Sequence, residues 1–473
     1  MPGLQPFARI SAAGIVVKMT SIAQPRPLDL REPARLSARD VVTTGRCFVS
    51  HKTGIIKTVV EEPIEEGDPL IFSFGTLMSN TSTYSPHQCS ARNGGAGLTR
   101  DGALAATIGE AIERYCSNFY DRREFVFSSY DNLKVEAVRP KCFPLFSDNQ
   151  YGTPGFPFAP FTAASAICWT WGYSLVERRC KLVPAALVYL PYAYQSGESF
   201  IGPSTSTGLA CACSLEEAIL LRLYECIERD AFTIMWLNAL PMPVVDMRPG
   251  DSNVVRLFWD KFAPEGIEYY VCNISSDIGV PTFYALAIGA STEGTLACVG
   301  SATPLDGEAA IQKTLVECAQ GRPYLRYVMR KERNWSCGDD FRNIQSFDDH
   351  GRLYSSMPEL IPNLLFVKDG KPQSISEVEN LSTGSALGDI ETCVGKLAQN
   401  GFDVLAVDLT TRDVASVGFR VVRVLVPGLQ PLQGDHNLRF LAGDRLYQCP
   451  RRLGYVDNDT SEGQLYPWPH PFP

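Results

Sequence analysis

The chain reads GGAGLTRDGALAATIGEAIERY from Gly94 to Tyr115 and STGLACACSLEEAILLRLYECIERD from Ser206 to Asp230. Both segments run from small residues into a helix-like stretch that contains E-x-x-E-R. Aligning Ala103 with Ala218 superposes the charged groups of the two copies: Glu110 on Glu225, Glu113 on Glu228 and Arg114 on Arg229. This near-repeat predicts that the two segments form equivalent helices.

A third, weaker copy begins at Asp306 and reads DGEAAIQKTLVECAQGR. Its Glu317 takes the place of the first glutamate, and Gln320 takes the place of the second. Each copy has a polar residue four positions before its shared alanine, and the predicted N-caps are Thr99, Ser214 and Asp306. Ser214 and Glu217 also match the capping-box pattern. The repeat therefore predicts three helices with similar starts.

Apolar residues of the first two copies recur at helical spacing. They are Leu104, Ile108 and Ile112 in the first copy and Ile219, Leu223 and Ile227 in the second. Such stripes are typical of helices that pack against a core. Glutamates three positions apart lie on one face of a helix, so each copy presents a pair of carboxylates.

Two interpretations of these charges remain open. E-x-x-E-R can be a solvated helix edge, where a Glu–Arg pair contributes about 0.2–0.5 kcal/mol. The repetition and the apolar neighbours favour partly buried acids instead, and buried like charges need a cation or a proton between them. Paired carboxylates suit Mg²⁺, and arginines such as Arg114, Arg229 and Arg322 suit phosphate. The turn Gly94–Gly97 could present amides to the same anion.

Composition narrows the function classes. The chain has 473 residues and a net charge of −9, which argues against a nucleic-acid partner as the main ligand. No apolar run is long enough for a membrane span, and no signal peptide is evident, so we expect a cytoplasmic protein without membrane insertion. The 15 cysteines include no C-x-x-C pair, so structural zinc is not expected. P-loop, dinucleotide, zinc-protease and serine-hydrolase motifs are absent from the sequence.

Together these segments resemble the YcaO family. Its motifs match Glu110–Arg114, Glu225–Arg229 and Glu317–Arg322, and its proline-rich ending matches Pro467–Pro473. Two further stretches, Ser206–Ala210 and Phe419–Gly428, look like the D-protein subgroup that makes azole-containing peptides. The similarity runs from about Gly45 to Pro473, so we divide the chain into an N-terminal extension, 1–44, and one domain, 45–473, which includes the tail 466–473.

The resemblance implies an α+β fold with mixed sheets, repeated E-x-x-E-R helices and no P-loop. It implies that ATP and Mg²⁺ are the cofactors. The ATP-binding residues would be Glu110, Arg114, Glu217, Arg229, Gln320 and Arg322. The metal ligands would be Glu110, Glu113, Glu225 and Glu228, and the catalytic residues Pro473, through its carboxylate, and Arg322.

The same resemblance implies cyclodehydration of a ribosomal precursor peptide. A Cys, Ser or Thr side chain attacks the preceding carbonyl, ATP phosphorylates the amide oxygen, and phosphate leaves as a thiazoline or oxazoline ring forms. Thioamide or amidine synthesis by the same ATP chemistry is an alternative. A non-catalytic ATP-binding scaffold subunit is another.

The rest of the chain yields further expectations. Strands are predicted at 55–60, 269–272, 282–288, 402–408 and 419–426, a helix at 389–399, and a mobile polar loop at 331–356. The tail is either a solvated polyproline segment or a rod that enters the site. We expect a precursor peptide and an E1-like leader-binding protein as partners, a flavin dehydrogenase as a further partner, and a homodimer.

Overall fold

A computed structural model describes residues 27–34, 36–82, 85 and 88–473 of the chain. The strands of this part build three sheets, whose pairings are antiparallel except between β12 and β8. Their bounds are β1 Ile56–Glu61, β2 Phe72–Met78, β3 Arg92–Gly97, β4 Val126–Ser128, β5 Ile167–Ser174, β6 Arg179–Pro184, β7 Leu209–Ala212, β8 Val244–Val245, β9 Ile267–Asn273, β10 Phe283–Ser291, β11 Gly294–Ala302, β12 Pro372–Gln373, β13 Leu405–Asp408 and β14 Arg420–Leu425. The sheet orders are β1-β2-β3, β11-β10-β9-β8-β12 and β4-β5-β13-β14-β7, with β6 paired to β5.

Helices accompany all three sheets. Their bounds are α1 Ala38–Gly45, α2 Arg100–Ser117, α3 Asp148–Tyr151, α4 Leu215–Leu237, α5 Asn253–Leu257, α6 Gly307–Lys331, α7 Phe347–Ser356, α8 Ala386–Gln399, α9 Arg412–Ser416 and α10 Asp444–Arg452. Separate, mostly antiparallel sheets with packed helices confirm the predicted α+β class. Within the described part of the chain, none of the helices has the length and apolarity to cross a bilayer.

Each near-repeat forms a strand followed by a helix. Strand β3 leads into α2, β7 into α4 and β11 into α6, so every sheet supplies one such unit. Helix α2 packs on β2 and β3 and also reaches β7, whereas α4 packs on β14 and β7, and α6 on β10 and β11. The predicted stripe is buried at Ile108, Ile112, Ile219, Leu223 and Ile227. The repeat therefore brings helices from three sheets into one neighbourhood.

The predicted N-caps of the three helices are confirmed. At each one the side-chain oxygen accepts a hydrogen bond from the amide three residues later: Thr99 from Gly102, Ser214 from Glu217 and Asp306 from Ala309, at 3.0–3.1 Å. A cap of this kind is worth about 1 kcal/mol. Glycine allows the strands to lie close to these helices, because an added Cβ at Gly95 would come 2.5 Å from the amide nitrogen of Thr107.

The predicted extension 1–44 lies partly outside the described residues, which begin at Pro27. Its described part contacts the domain: the amide of Arg31 donates to Glu216 at 2.7 Å, and Glu32 accepts hydrogen bonds from the first turn of α8. Helix α1 crosses the proposed boundary and packs on α2. The described part of the extension therefore packs against the surface of the domain.

The expectation of a mobile loop at 331–356 is wrong for its last ten residues. Helix α7 begins there with Ser346 as its N-cap, and its face of His350, Leu353 and Tyr354 is fully buried. These three residues lie at i, i+3 and i+4, the spacing of an amphipathic helix. The four aspartates of the stretch concealed this short apolar pattern.

The C-terminal tail is buried rather than solvated. Residues Pro469–Phe472 are buried, and their backbone is held by side chains of earlier elements. The indole of Trp236 donates to the carbonyl of Trp468 at 3.0 Å, and the hydroxyl of Tyr354 donates to that of Pro469 at 2.6 Å. The alternative of a free polyproline segment is therefore wrong.

Three histidines cluster at this tail: His470 belongs to it, and His350 and His436 lie beside it. The rings of His350 and His470 stack with centroids 3.6 Å apart, and His436 lies 6.1 Å from His350. Burial lowers the pKa of His470 to about 3 and that of His436 to about 4, and it also lowers the pKa of His350. All three rings are therefore neutral at neutral pH, so these histidines add no charge beside the tail.

Gly351 of α7 provides a test of this anchoring. An added Cβ there would come 2.7 Å from the Cβ of Pro473. We expect Gly351→Ala to displace the end of the tail and to lower the free energy of unfolding by about 1–3 kcal/mol, although alanine favours the helix. Deuterium uptake of residues 462–473 should rise.

The matched control is Gly395→Ala in α8, where an added Cβ has no atom of the described residues within 4 Å. This variant should be as stable as the parent or more stable. If Gly351→Ala behaves like Gly395→Ala in both stability and deuterium uptake, the packing of the tail described above is incorrect.

Candidate active site

The three repeat helices meet through charged side chains. On α4, Arg222 donates to Glu113 of α2 at 3.0 Å. The hydroxyl of Ser301 in β11 donates to Glu228 at 2.6 Å, and the charge of Glu317 on α6 also acts on Glu228. Glu110 and Glu225 act on Glu113 in the same way. We call the set of predicted metal ligands the carboxylate cluster: Glu110, Glu113, Glu225 and Glu228.

The first glutamate of each E-x-x-E-R accepts a hydrogen bond from a glycine amide at the start of its own repeat. The amide of Gly94 donates to Glu110 at 3.0 Å, and that of Gly208 donates to Glu225 at 2.7 Å. Gly208 has φ +92°, and an added Cβ would come 2.1 Å from the carbonyl oxygen of Val424. Only glycine fits this position, so the turn fixes the carboxylate of Glu225.

The second glutamate of each pair is almost completely buried, with 2% of Glu113 and 3% of Glu228 exposed. Burial raises the pKa of Glu113 to about 7, against the opposing charges of Arg114 and Arg222. Burial likewise raises the pKa of Glu228 to about 7, although Arg229 opposes the shift. The nearby arginines therefore do not fully compensate these two carboxylates.

Arg222 connects the two repeats, although it lies outside the E-x-x-E-R motifs and was not predicted as a site residue. Its guanidinium lies 3.0 Å from Glu113 and 3.0 Å from Glu225. Burial works against its charge, but Glu225 and Glu113 outweigh this effect and raise its pKa. A signal was present in the sequence, because Arg222 precedes Glu225 by three residues and therefore lies on the same helix face.

Arg423 of β14 was also missed, although it lies in a stretch that the family resemblance singled out. Its side chain is buried, and it donates to the carbonyls of Val188, Thr205 and Thr207. Burial lowers its pKa to about 10. This arginine holds the turn that ends in Gly208, and an arginine within the apolar run VVRVLV was the available signal.

Arg229 joins the carboxylate cluster to the tail. Its Nη2 lies 3.4 Å from Glu228, and its guanidinium carbon lies 4.4 Å from the ring centroid of Phe472. Stacking of a cation on an aromatic face stabilises this contact. Pro473 continues beyond Phe472 and packs on Gly351, next to Leu325 of α6. The structure therefore places the predicted tail beside a predicted ATP-binding arginine.

Three other predicted site residues lie in different surroundings near the carboxylate cluster. Gln320 faces Gly94, with its amide nitrogen 3.5 Å from an ideal Cβ there. Glu217 lies in the first turn of α4, about two helical turns before Glu225. Arg322 is buried, and it donates to Asp68 at 2.7 Å and to the carbonyl of Ala290 at 2.6 Å. Part of the Arg322 guanidinium is thus already bound by protein.

The donor set fits a divalent cation with a polyphosphate. On helices α4 and α6, three arginine N–H groups are buried without a hydrogen-bond partner among the described residues: Nε of Arg222, Nη1 of Arg229 and Nη1 of Arg322. Phosphate oxygens are good partners for such groups, and paired carboxylates suit Mg²⁺. In the described part of the chain, no three acidic, imidazole or thiol groups already surround one point. Because Arg222 lies between the acids, its ion pairs would have to open for a cation to bind.

Comparisons with known proteins agree with this donor set. Residues 94–430 match the model of the YcaO cyclodehydratase family, which is described as ATP- and Mg²⁺-binding. An uncharacterized protein of Methanothermobacter thermautotrophicus is 31% identical over 346 residues, which are 72% of this chain and 82% of the relative.

Two of the solved structures that share the fold are ligand complexes. One is a heterocyclase in complex with substrate and cofactor, with a TM-score of 0.77 and 24% identity over 94% of this chain. The chain spans 59% of the length of that heterocyclase. The other is a YcaO protein from Methanopyrus kandleri bound with AMPPCP and Mg²⁺, with a TM-score of 0.57, 17% identity, and coverage of 84% of this chain and 91% of that one.

These matches confirm the resemblance inferred from the motifs, and with it the expected cofactors, ATP and Mg²⁺. The family model covers the segments that carry the carboxylate cluster, from Gly94 to Gln430. The chain therefore belongs to the YcaO cyclodehydratase family.

Proposed function

We propose that this chain is the ATP-dependent subunit of an azoline-forming peptide cyclodehydratase, in the D-protein branch of its family. It converts Cys, Ser or Thr residues of a ribosomal precursor peptide into thiazoline or oxazoline rings. One observation carries the proposal: the carboxylate cluster and the buried C-terminal tail meet at Arg229. The acids, a buried arginine that can donate hydrogen bonds and the C-terminal tail therefore lie next to one another.

The carboxylate cluster holds Mg²⁺ in this proposal. Glu113 and Glu228 are buried and carry raised pKa values, so each stands to gain from a cation. Glu110 and Glu225 are oriented by the amides of Gly94 and Gly208, which leaves their remaining lone pairs available for the metal. Mg²⁺ keeps water and phosphate oxygens in the rest of its shell.

The groups next to this cluster bind the nucleotide. Buried N–H groups of Arg229 and Arg322 supply donors for phosphate oxygens, and Gln320 lies next to the Gly94 turn. Arg114 lies within 3.2 Å of Glu110 and can exchange this partner for a phosphate. Glu217, at the start of α4, completes the proposed set of nucleotide contacts.

ATP supplies the phosphoryl group that makes the amide oxygen a leaving group. The substrate thiol or hydroxyl attacks the preceding carbonyl carbon, and the carbonyl oxygen departs with phosphate. The amide N–H and the nucleophile lose their protons, so each ring formed costs the peptide one water. The protein has to position these groups and stabilise the developing negative charge, and the buried donor of Arg229 is suited to that task.

The tail positions the substrate and receives a proton. Pro473 and Phe472 are the residues that the tail brings closest to Arg229 and α6. A carboxylate on Pro473 is the proton acceptor in this proposal, and the packing of Pro473 on Gly351 keeps it in place. Arg322, whose Nη1 has no partner among the described residues, is the other catalytic residue in this proposal.

The proposal includes a cytoplasmic location and several partners. The precursor peptide is the substrate, an E1-like protein binds its leader, and a flavin dehydrogenase oxidises the rings. A homodimer is the proposed oligomer. Support comes from a solved relative of the same fold, which is a heterocyclase in complex with substrate and cofactor.

The direct test follows phosphate release and peptide mass together, with ATP, Mg²⁺, the partner and a precursor rich in Cys and Ser. We expect a loss of about 18 Da per phosphate released, because one water leaves with each ring. Glu110→Gln and Glu228→Gln should lower turnover at least 100-fold, and Glu391→Gln on the exposed face of α8 should not. A gain of about 16 Da with sulfide would indicate thioamide synthesis instead, and ATP binding without phosphate release or mass change would indicate a scaffold.

The tail is tested by adding residues after Pro473. Because Pro473 is packed against α7, an added peptide would displace the carboxylate. We expect turnover to fall at least 100-fold while the circular dichroism spectrum and nucleotide affinity stay unchanged. The same tag at the N-terminus is the control, and full activity of the C-terminally extended protein would contradict the role of the tail.

The raised pKa of Glu228 predicts a trade-off between stability and function. Its folded-state pKa of about 7 lies above the unfolded value, so the folded state binds more protons between pH 4.5 and 7. The stability of the metal-free protein therefore falls as pH rises through this range. Above pH 7, Glu228→Gln should be more stable than the parent by about 2–3 kcal/mol, and this difference should shrink towards pH 5.

Urea unfolding of the metal-free protein at pH 5, 6, 7 and 8 measures this difference, with Glu391→Gln as the exposed control. Addition of Mg²⁺ and a non-hydrolysable ATP analogue should stabilise the parent more than Glu228→Gln. A variant that is less stable than the parent at pH 8 would show that Glu228 is already compensated in the metal-free protein.

A further inference from the structure

A cavity lies beside Arg229, and its lining includes no residue of α2 or α6. Its volume is about 100 Å³. Its walls are mainly apolar, and the lining includes Phe143, Leu145, Leu187, Leu429 and Phe440, together with Arg229 and Gln430. We call this cavity the Arg229–Gln430 pocket. The proposed function above does not use it.

The pocket adjoins the carboxylate cluster directly. Arg229 lines the pocket, and the same guanidinium lies 3.4 Å from Glu228. Thr207 also lines it, and the amide of the next residue, Gly208, donates to Glu225. A ligand in the pocket would therefore lie one side chain away from the proposed metal ligands.

Two buried polar atoms at the pocket lack partners within the described part of the chain. They are Nη1 of Arg229, a donor, and Oε1 of Gln430, an acceptor. Gln430 is 1% exposed, and its own amide nitrogen donates to the carbonyl of Phe440 at 2.5 Å, which fixes the orientation of its side chain. Asp230 accepts from the backbone amide of Gln430 and holds it there. Buried groups of this kind normally have a partner.

The chemistry of the pocket matches one peptide residue. An apolar side chain fills the apolar walls, the backbone carbonyl of that residue accepts from Arg229, and a backbone amide donates to Gln430. Adenine also has a hydrogen-bond acceptor for Arg229 and a donor for Gln430. However, the lining of the pocket includes no residue of α2 or α6, the helices that carry Glu110, Gln320 and Arg322. Of the proposed nucleotide contacts, Arg229 alone belongs to the lining of the pocket.

We propose that the Arg229–Gln430 pocket binds the apolar side chain of the substrate residue that immediately precedes the cyclised Cys, Ser or Thr. This inference rests on the proposed function, in which the carbonyl of that preceding residue is activated. Contact between the carbonyl and Arg229 places the side chain of the same residue in the pocket. The enzyme then selects cyclisation sites that follow a large apolar residue over sites that follow glycine or aspartate.

Photo-crosslinking tests the pocket without requiring turnover. The probe is acetyl-Gly-Bpa-Cys-Gly-Gly-amide, in which Bpa is p-benzoylphenylalanine, used at millimolar concentration with the full chain. We expect labelling of residues 143–145, 187 or 424–431. Leu187→Trp fills the pocket and should reduce labelling at least 10-fold, whereas Leu221→Trp on the exposed face of α4 should not.

Three results would overturn the proposal: no labelling, labelling elsewhere on the protein, or equal labelling of Leu187→Trp. Competition by a non-hydrolysable ATP analogue that abolishes labelling of the pocket would assign it to adenine instead. With an active precursor, changing the preceding residue from Leu to Asp should lower kcat/KM about 10- to 100-fold in the parent, and less in Leu187→Trp. Labelling as expected without any loss of 18 Da would contradict the proposed function and leave the pocket as a peptide site.

Discussion

The bridge that Arg222 makes between Glu113 and Glu225 is the interaction on which the rest of the site depends. It joins α2, which packs on the first sheet, to α4, which packs on the third. Buried ion pairs rarely add much net stability, since the desolvation of the charges offsets their attraction. Their value here is geometric: the bridge fixes the relative position of the two E-x-x-E-R helices before any ligand binds.

Two other buried ion networks position the elements around this bridge. Asp68 pairs with Arg322 and Arg326, which attaches the β1–β2 connection to α6. Asp230, the residue after Arg229, pairs with Arg445 of α10 and accepts from the amide of Gln430. These ion pairs therefore hold the elements next to the carboxylate cluster in place. Because the charges are buried, water cannot replace their partners. Breaking such a pair leaves an uncompensated buried charge, which is costly.

Local patterns in the sequence were sufficient to predict the repeat helices, their caps and the acids that they bring together. Thr99, Ser214 and Asp306 could be identified because capping is decided within four residues. Contacts between distant segments could not be identified in this way. Arg322 looked free for phosphate, but Asp68, 254 residues earlier, occupies part of its guanidinium. The contacts that bury the tail were equally hidden, because the side chains that hold it, Trp236 and Tyr354, belong to distant elements.

The burial of the C-terminal tail has a consequence for the order in which the protein folds during its synthesis. Residues 466–473 leave the ribosome after all of the elements that they contact, so α4, α6 and α7 can fold first and leave a groove open. The contact of Phe472 with Arg229 then forms late, as one of the final packing steps. Until this segment docks, Arg229 lacks its contact with the ring of Phe472, and the side chains of Trp236 and Tyr354 lack the tail carbonyls to which they donate.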